Sequence, residues 1–297
     1  MNFLQKWNSP LTPKGGIKIE TLNYISLKLF FFKKIFTKFL FPPWGLGGFY
    51  LNSKNQHGVH SPFVFDLVTK CFYDKKEYSE YSILKDYRKA LLQNKNKIEV
   101  TDFGAGSRVF KSNTRAIHQI AKTAGISSKR AELLFRLVNY FQPTTILEIG
   151  TSLGLATTAL SLGNKNAKIT TLEGCPNTIA IAKKQFEKFN FQNINPIVTE
   201  FESFLKSDWV ETQSNSFIYF DGNHSKEATL TYFELLLSTI TNETVWIFDD
   251  IHWSSDMNEA WEIIKNHPKV TVTIDTFQWG IVFFRNEQEK EHFIIRI

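Results

Sequence analysis

The run ILEIGTSLG, from Ile146 to Gly154, constrains this chain more than any other segment. Apolar residues lead into an acid and then two glycines separated by small residues, which predicts a buried parallel strand breaking into a tight turn with a helix directly behind it. A second apolar strand ends in Glu173, 23 positions after Gly150. That is close to the separation of about 20 residues at which an acid after the second strand meets the hydroxyls of a bound ribose.

The glycines do not form the dinucleotide fingerprint. Thr151, Ser152 and Leu153 stand between Gly150 and Gly154, and no third glycine follows at the required place. A pyrophosphate needs the tighter G-x-G-x-x-G turn, whereas a nucleoside ligand without phosphate does not. On these residues the chain resembles the class I S-adenosylmethionine-dependent methyltransferases. The resemblance implies S-adenosylmethionine as cofactor, with Glu148, Gly150 and Gly154 at its amino-acid end and Glu173 at the ribose. Thr151, Ser152, Gly174 and Asp221 complete the expected cofactor contacts.

From Thr144 onward, strand and helix patterns alternate. Strands are expected near 144–149, 168–172, 195–199, 216–220 and 244–249, and helices near 153–162, 177–189 and 226–240. A helix near 256–266 and a closing antiparallel hairpin, near 269–275 and 279–285, follow. This α/β plan is similar to the Rossmann-like, seven-stranded sheet of the class I methyltransferases. Upstream, residues 57 to about 142 read as mostly helical, with Ser61 as an N-cap, Pro62 at the first helical position and an apolar face through Phe65, Val68 and Phe72. The expected division is a basic aromatic extension over 1–46, a helical cap over 47–142 and the methyltransferase domain over 143–297. A second acid-glycine segment, TDFGAGSR from Thr101 to Arg108, lacks a following strand that ends in an acid. Asp102, Gly104 and Gly106 are therefore expected in a lid over the site rather than in the cofactor turn.

Two acidic clusters carry the candidate chemistry: FIYFDGNHSK, from Phe217, and VWIFDDIHW, from Val245. Neighbouring parallel strands lie about 5 Å apart, so Asp221, Asp249 and Asp250 converge at the carboxyl edge of the sheet. Three crowded carboxylates repel one another, and a hard divalent cation such as Mg²⁺ would supply the compensating charge. The arrangement resembles the metal-dependent O-methyltransferases of the catechol and caffeoyl-CoA type, which hold their metal with an Asp and an Asp-Asn pair. Asp250 in the third position is closer to the macrolide-sugar O-methyltransferases. His224 stands where the catechol enzymes carry their catalytic Lys, and an imidazole can take a proton from a hydroxyl near neutral pH. Lys226 is the alternative base. His252 and Trp253 are candidates to flank the acceptor. The HGVHSPF segment holds His57 and His60, which could reach a substrate, although a turn leading into a Ser-Pro helix start also explains the segment. From about His57 onward, this segment together with DFGAGS, EIGTSLG, FDGNH and FDDIHW is similar to a group of bacterial class I methyltransferases.

Composition narrows the partners. The net charge of +6 resides in the first 40 residues, which hold seven Lys and one Glu, while the remainder balances 28 basic against 28 acidic side chains. A neutral body without a basic stripe argues against nucleic acid. A small-molecule or glycan acceptor is expected instead. Residues 25–41, ISLKLFFFKKIFTKFLF, carry too much charge to span a bilayer, and they suit either an interfacial helix on an anionic membrane or an amphipathic helix packed on the domain. Two cysteines form neither a disulfide framework nor a zinc cluster, so a cytoplasmic protein is expected. The reading that results is an O-methyltransferase acting on a hydroxyl with a divalent metal. Its alternatives are a metal-independent N- or carboxyl-methyltransferase and a non-catalytic cofactor-binding scaffold at a membrane.

Overall fold

The structure is a computed structural model that describes residues 45–101, 112–212 and 216–297. The expected basic helix over 25–41 and the Asp102–Arg108 lid lie outside the described residues. Residues from Phe49 to Ile297 form one compact unit.

The segment before the sheet is built from α1 (Leu46–Asn52), α2 (Pro62–Leu67), α3 (Glu80–Gln93), the short strands β1 (Lys97–Glu99) and β2 (Thr114–Ala116), α4 (Ile117–Thr123) and α5 (Ser128–Phe141). The Ser61 hydroxyl accepts from the Val64 N–H at 3.4 Å, with Pro62 next to it, so the predicted start of α2 is in place. The β1–β2 antiparallel ladder interrupts what the sequence pattern reads as helix.

The second half alternates β3 (Thr145–Ile149), α6 (Leu155–Gly163), β4 (Lys168–Glu173), α7 (Pro176–Lys188), β5 (Ile194–Val198), α8 (Phe201–Leu205), α9 (Asp208–Thr212) and β6 (Phe217–Phe220). It continues with α10 (Lys226–Leu236), β7 (Val245–Asp249), α11 (Ser255–Asn266), β8 (Val272–Asp275), β9 (Trp279–Phe283) and β10 (Glu291–Ile294). The main sheet runs β10-β8-β9-β7-β6-β3-β4-β5. Strands β5, β4, β3, β6 and β7 are parallel, and β9 is antiparallel to both neighbours. The expected seven strands are present, and an eighth, β10, pairs in parallel with β8. Lys54 continues this edge, donating its N–H to the Ile294 carbonyl at 2.8 Å and accepting from Arg296 N–H at 3.0 Å. An edge that would otherwise present unpaired backbone is thus partly covered.

Residue alternation splits the core into two layers. Ile146, Tyr219, Ile247 and Ile281 face one side with the helices of the 47–142 segment, while Leu147, Ile218, Trp246 and Val282 face the other. Every position of β6 and β7 is buried, as a parallel sheet covered on both faces requires. Strand order reverses at β3, whose neighbours are β4 and β6. A crevice opens at the carboxyl ends of strands at such a switch point, and ligands bind there.

Candidate active site

The turn after β3 depends on two glycines in the left-handed region, Gly150 with φ 105° and Gly154 with φ 79°. A Cβ on Gly150 would stand 2.4 Å from the Asp221 carbonyl oxygen, and one on Gly154 would meet the Phe186 ring at 2.5 Å. The N–H groups of Gly150 and Thr151 both donate to the Leu172 carbonyl at 3.0 Å. From α3, the Tyr87 hydroxyl donates to the Leu153 carbonyl at 2.9 Å and braces the turn from behind.

A pocket opens over this turn. Its lining includes Gly150 and Ser152 from the turn, Glu173 and Gly174 after β4, and Asp221, Gly222 and Asn223 after β6. Thr199, Glu200 and Phe201 after β5, Tyr232 from α10, and Val100, Thr101, Arg115, Ile120 and Ala124 also contribute. The Glu173 carboxylate is fixed from both sides, Oε2 accepting from Ser152 N–H at 2.8 Å and Oε1 from Cys175 N–H at 2.9 Å. A carboxylate oxygen accepts more than one hydrogen bond, so this held group suits ribose hydroxyls. The donor set and the close-packed glycine turn therefore fit the nucleoside expected from the sequence.

Glu148 does not line this pocket. It is fully buried beneath the turn, where its Oε2 accepts from the Thr157 and Thr171 hydroxyls at 2.5 Å each, and Thr171 is paired with Thr151 at 2.6 Å. Its Oε1 meets no hydrogen-bond partner among the described residues. Burial pushes the carboxyl up to about 8, and the threonine hydroxyls offset this only in part. Glu148 and Thr151 therefore underpin the turn and do not present side chains to the cofactor. The alternation of the strand points Glu148 into the layer beneath.

The three aspartates do converge, but around a guanidinium. Asp249 Oδ1 accepts from Arg130 Nη2 in a very short ion pair and from the Asp250 N–H at 2.7 Å, and its Oδ2 accepts from the Tyr219 hydroxyl at 2.8 Å. Burial, followed by Asp249 and Asp250, pushes Asp221 well above the usual carboxylate range. Asp250, with a left-handed φ of 54°, is raised by burial and by Asp249. Burial works against the charge on Arg130, but Asp249 together with Tyr219, Asp221 and Asp250 outweighs it and holds the guanidinium protonated. Among the described residues no group of three His, Cys, Asp or Glu side chains is placed to hold a metal. The metal site expected at Asp221, Asp249 and Asp250 is not formed. The charge compensation that three carboxylates demand is supplied from α5, and both oxygens of Asp249 are already engaged.

Residues 147–251 match the family model of a methyltransferase domain. Over this stretch the chain carries a methyltransferase domain, on a sheet with the fold of the class I methyltransferases. No curated protein matches it in sequence. The fold is similar to PaMTH1, a methyltransferase of Podospora anserina solved with SAH bound, with a TM-score of 0.52 at 14% identity over 77% of this chain and 97% of that one. It is also similar to TomG, the O-methyltransferase of Streptomyces achromogenes involved in tomaymycin synthesis and solved with SAM, with a TM-score of 0.50 at 14% identity over 74% of this chain and 95% of that one.

His224 is not among the residues lining the pocket, but its Nε2 lies 3.8 Å from Asp221 Oδ1 and its side chain is a quarter exposed. Lys226 turns away to Glu259 at 2.7 Å, an exposed pair that keeps it protonated. His252 is held between Asp275, 2.8 Å from its Nε2, and the Asn258 side-chain oxygen at its Nδ1. It therefore pins the β7–α11 loop to β8. Trp253 is exposed. His57 and His60 are exposed too, His57 lying in a single 3₁₀ turn. Thr199, Phe201 and Tyr232 line the pocket without belonging to any of the motifs above. The first two directly follow the third parallel strand, where the carboxyl-edge rule would have found them. Arg130 gave no signal at all, being 119 residues away from Asp249 in the chain.

Proposed function

We propose that the methyltransferase domain transfers a methyl group from S-adenosylmethionine to a hydroxyl oxygen of a small-molecule or glycan acceptor. The observation that carries this reading is one pocket lined by the held Glu173 carboxylate, the Gly150 turn and Asp221, with His224 Nε2 3.8 Å from Asp221 Oδ1. Bound S-adenosylmethionine supplies an electrophilic methyl group on a sulfonium. Glu173 would hold the ribose, and Phe201 and Thr199, which line the same pocket, would receive the base. Asp221 orients the acceptor hydroxyl and His224 takes its proton, which general-base catalysis makes worth about 10²–10⁴-fold in rate. Positioning and exclusion of water by the aromatic lining account for the remaining acceleration. The similarity to TomG, itself an O-methyltransferase, supports oxygen over nitrogen as the acceptor atom.

Calorimetric titration of S-adenosylhomocysteine into the purified full chain tests the first half of the reading. Two lost charge-assisted hydrogen bonds are worth roughly 1.5–3 kcal/mol each, so Glu173→Ala should weaken binding by at least about tenfold. No binding by folded wild type would refute the methyltransferase reading. On an acceptor panel of phenols, sugars and glycans, His224→Ala should lose most turnover and Lys226→Ala should keep it. Cofactor binding without turnover on any acceptor would favour the scaffold. The basic aromatic stretch over 25–41 is proposed to bring the protein to an anionic membrane. Equal liposome co-sedimentation by the full chain and by a version starting at Gly47 would end that idea.

A further inference from the structure

The ion pair between Arg130 and Asp249 has a local cost that nothing in its own helix explains. The Ser127 hydroxyl caps α5 by accepting from the Arg130 N–H at 3.3 Å, which places Arg130 in the first turn. That turn holds no acid, and a cation there faces the positive end of the helix dipole. The side chain reaches instead to the carboxyl end of β7, 18% exposed, with its guanidinium carbon 5.1 Å from the centre of the buried Trp279 ring. Its Nε is buried with no partner among the described residues. A planar, permanently charged guanidinium can stack on an indole and pair with a carboxylate at once. Its electrostatic reach covers Asp249, Asp221 and Asp250 together.

The geometry points to Arg130 as a built-in replacement for a divalent metal: a positioning residue whose fixed charge holds Asp249 and, through it, the Asp221–Asp250 cluster beside the pocket, so that the protein works without a bound ion. Asp249 accepts from Arg130, Asp250 and Tyr219 on its two oxygens, and an entering cation would have to displace the guanidinium. Tyr219 remains a donor in this arrangement because burial, with Asp221 and Asp249 nearby, holds its hydroxyl protonated. The inference deepens the proposed reaction and rests on it only for what that cluster serves.

Manganese titration reads the cluster directly. Full-length wild type, Arg130→Met and Arg130→Met/Asp249→Asn are titrated with Mn²⁺ while the free ion is followed by electron paramagnetic resonance. Wild type is expected to take up no Mn²⁺ at the cluster. Arg130→Met removes a neighbouring positive charge and frees an oxygen of Asp249, so it should bind Mn²⁺ at least about tenfold more tightly than wild type. The double variant should lose that gain. A purely structural ion pair would not create a metal site when broken, so folded Arg130→Met with no gain in Mn²⁺ affinity overturns the proposal. Should Arg130→Met fail to fold, wild type against Asp249→Asn decides: uptake by wild type that Asp249→Asn abolishes overturns it, and no uptake, or uptake that Asp249→Asn leaves intact, supports it. Binding of S-adenosylhomocysteine, measured on the same samples, reports on the methyltransferase reading separately.

Discussion

Glu148 offers a sharp test because its environment makes a quantitative demand. The side chain is fully buried, its Oε2 takes two threonine hydroxyls, its Oε1 has no partner among the described residues, and its pKa rises from the ordinary 4.5 to about 8. The folded protein therefore keeps a proton that the unfolded chain releases above about pH 4.5, and stability falls as pH rises until the folded carboxyl itself ionises near 8. Each pH unit in that window costs about 1.4 kcal/mol, so the whole interval is worth on the order of 5 kcal/mol and the stretch from about pH 5 to about pH 7.5 roughly 3 kcal/mol. Glu148→Gln is neutral at every pH and keeps an oxygen for Thr157 and Thr171. Its amide occupies the place of the unpartnered acid group, so the burial cost is similar to that of the protonated carboxyl. Urea unfolding of both proteins across this range should give a wild-type curve that loses roughly 3 kcal/mol more than the variant's. Asp221 and Asp250 are shifted in the same direction, but they are common to both proteins and cancel in the comparison. Parallel curves would show that Glu148 is ionised in the fold and refute the reasoning.

Two further outcomes follow from geometry. Gly150→Ala forces a Cβ to within 2.4 Å of the Asp221 backbone oxygen at φ 105°, and the conformation alone costs about 1–3 kcal/mol. A lower melting temperature together with lost S-adenosylhomocysteine binding is expected, and wild-type values for both would mean the turn is not built as described. The His252–Asp275 pair raises the histidine pKa above 6.5 against the opposing effect of burial, so its stabilisation is complete below that value and fades as pH rises through the elevated one. Asp275→Asn should therefore cost about 1–3 kcal/mol near pH 6 and clearly less near pH 9, as read by thermal unfolding at the two pH values.

Much of the framework was legible because period and punctuation are local properties. The β3 turn, the end of β4 at Glu173 and the aspartates after β6 and β7 were placed by an apolar run meeting a polar residue, and each lies at the carboxyl edge. Strand β10 was not, because EHFI is a short charged segment whose pairing with β8 is set by the neighbouring edge. Glu148 departs from the expected cofactor contact because a motif names the residue but does not say which way its side chain leaves the turn. The fully buried threonines Thr157 and Thr171 draw it inward, away from the pocket.

The sequence by itself determined an alternating α/β chain with a glycine turn, an acid after the second strand and three carboxylates at neighbouring strand ends, since all of these follow from patterns within a few residues of each other. What neutralises those carboxylates was decided only in three dimensions. Repulsion among like charges states that a cation is needed, but not whether it is an ion from solution or a side chain from elsewhere in the chain. That choice belongs to packing, because folding brings the first turn of α5 against the end of β7 and sets Arg130 between Trp279 and Asp249.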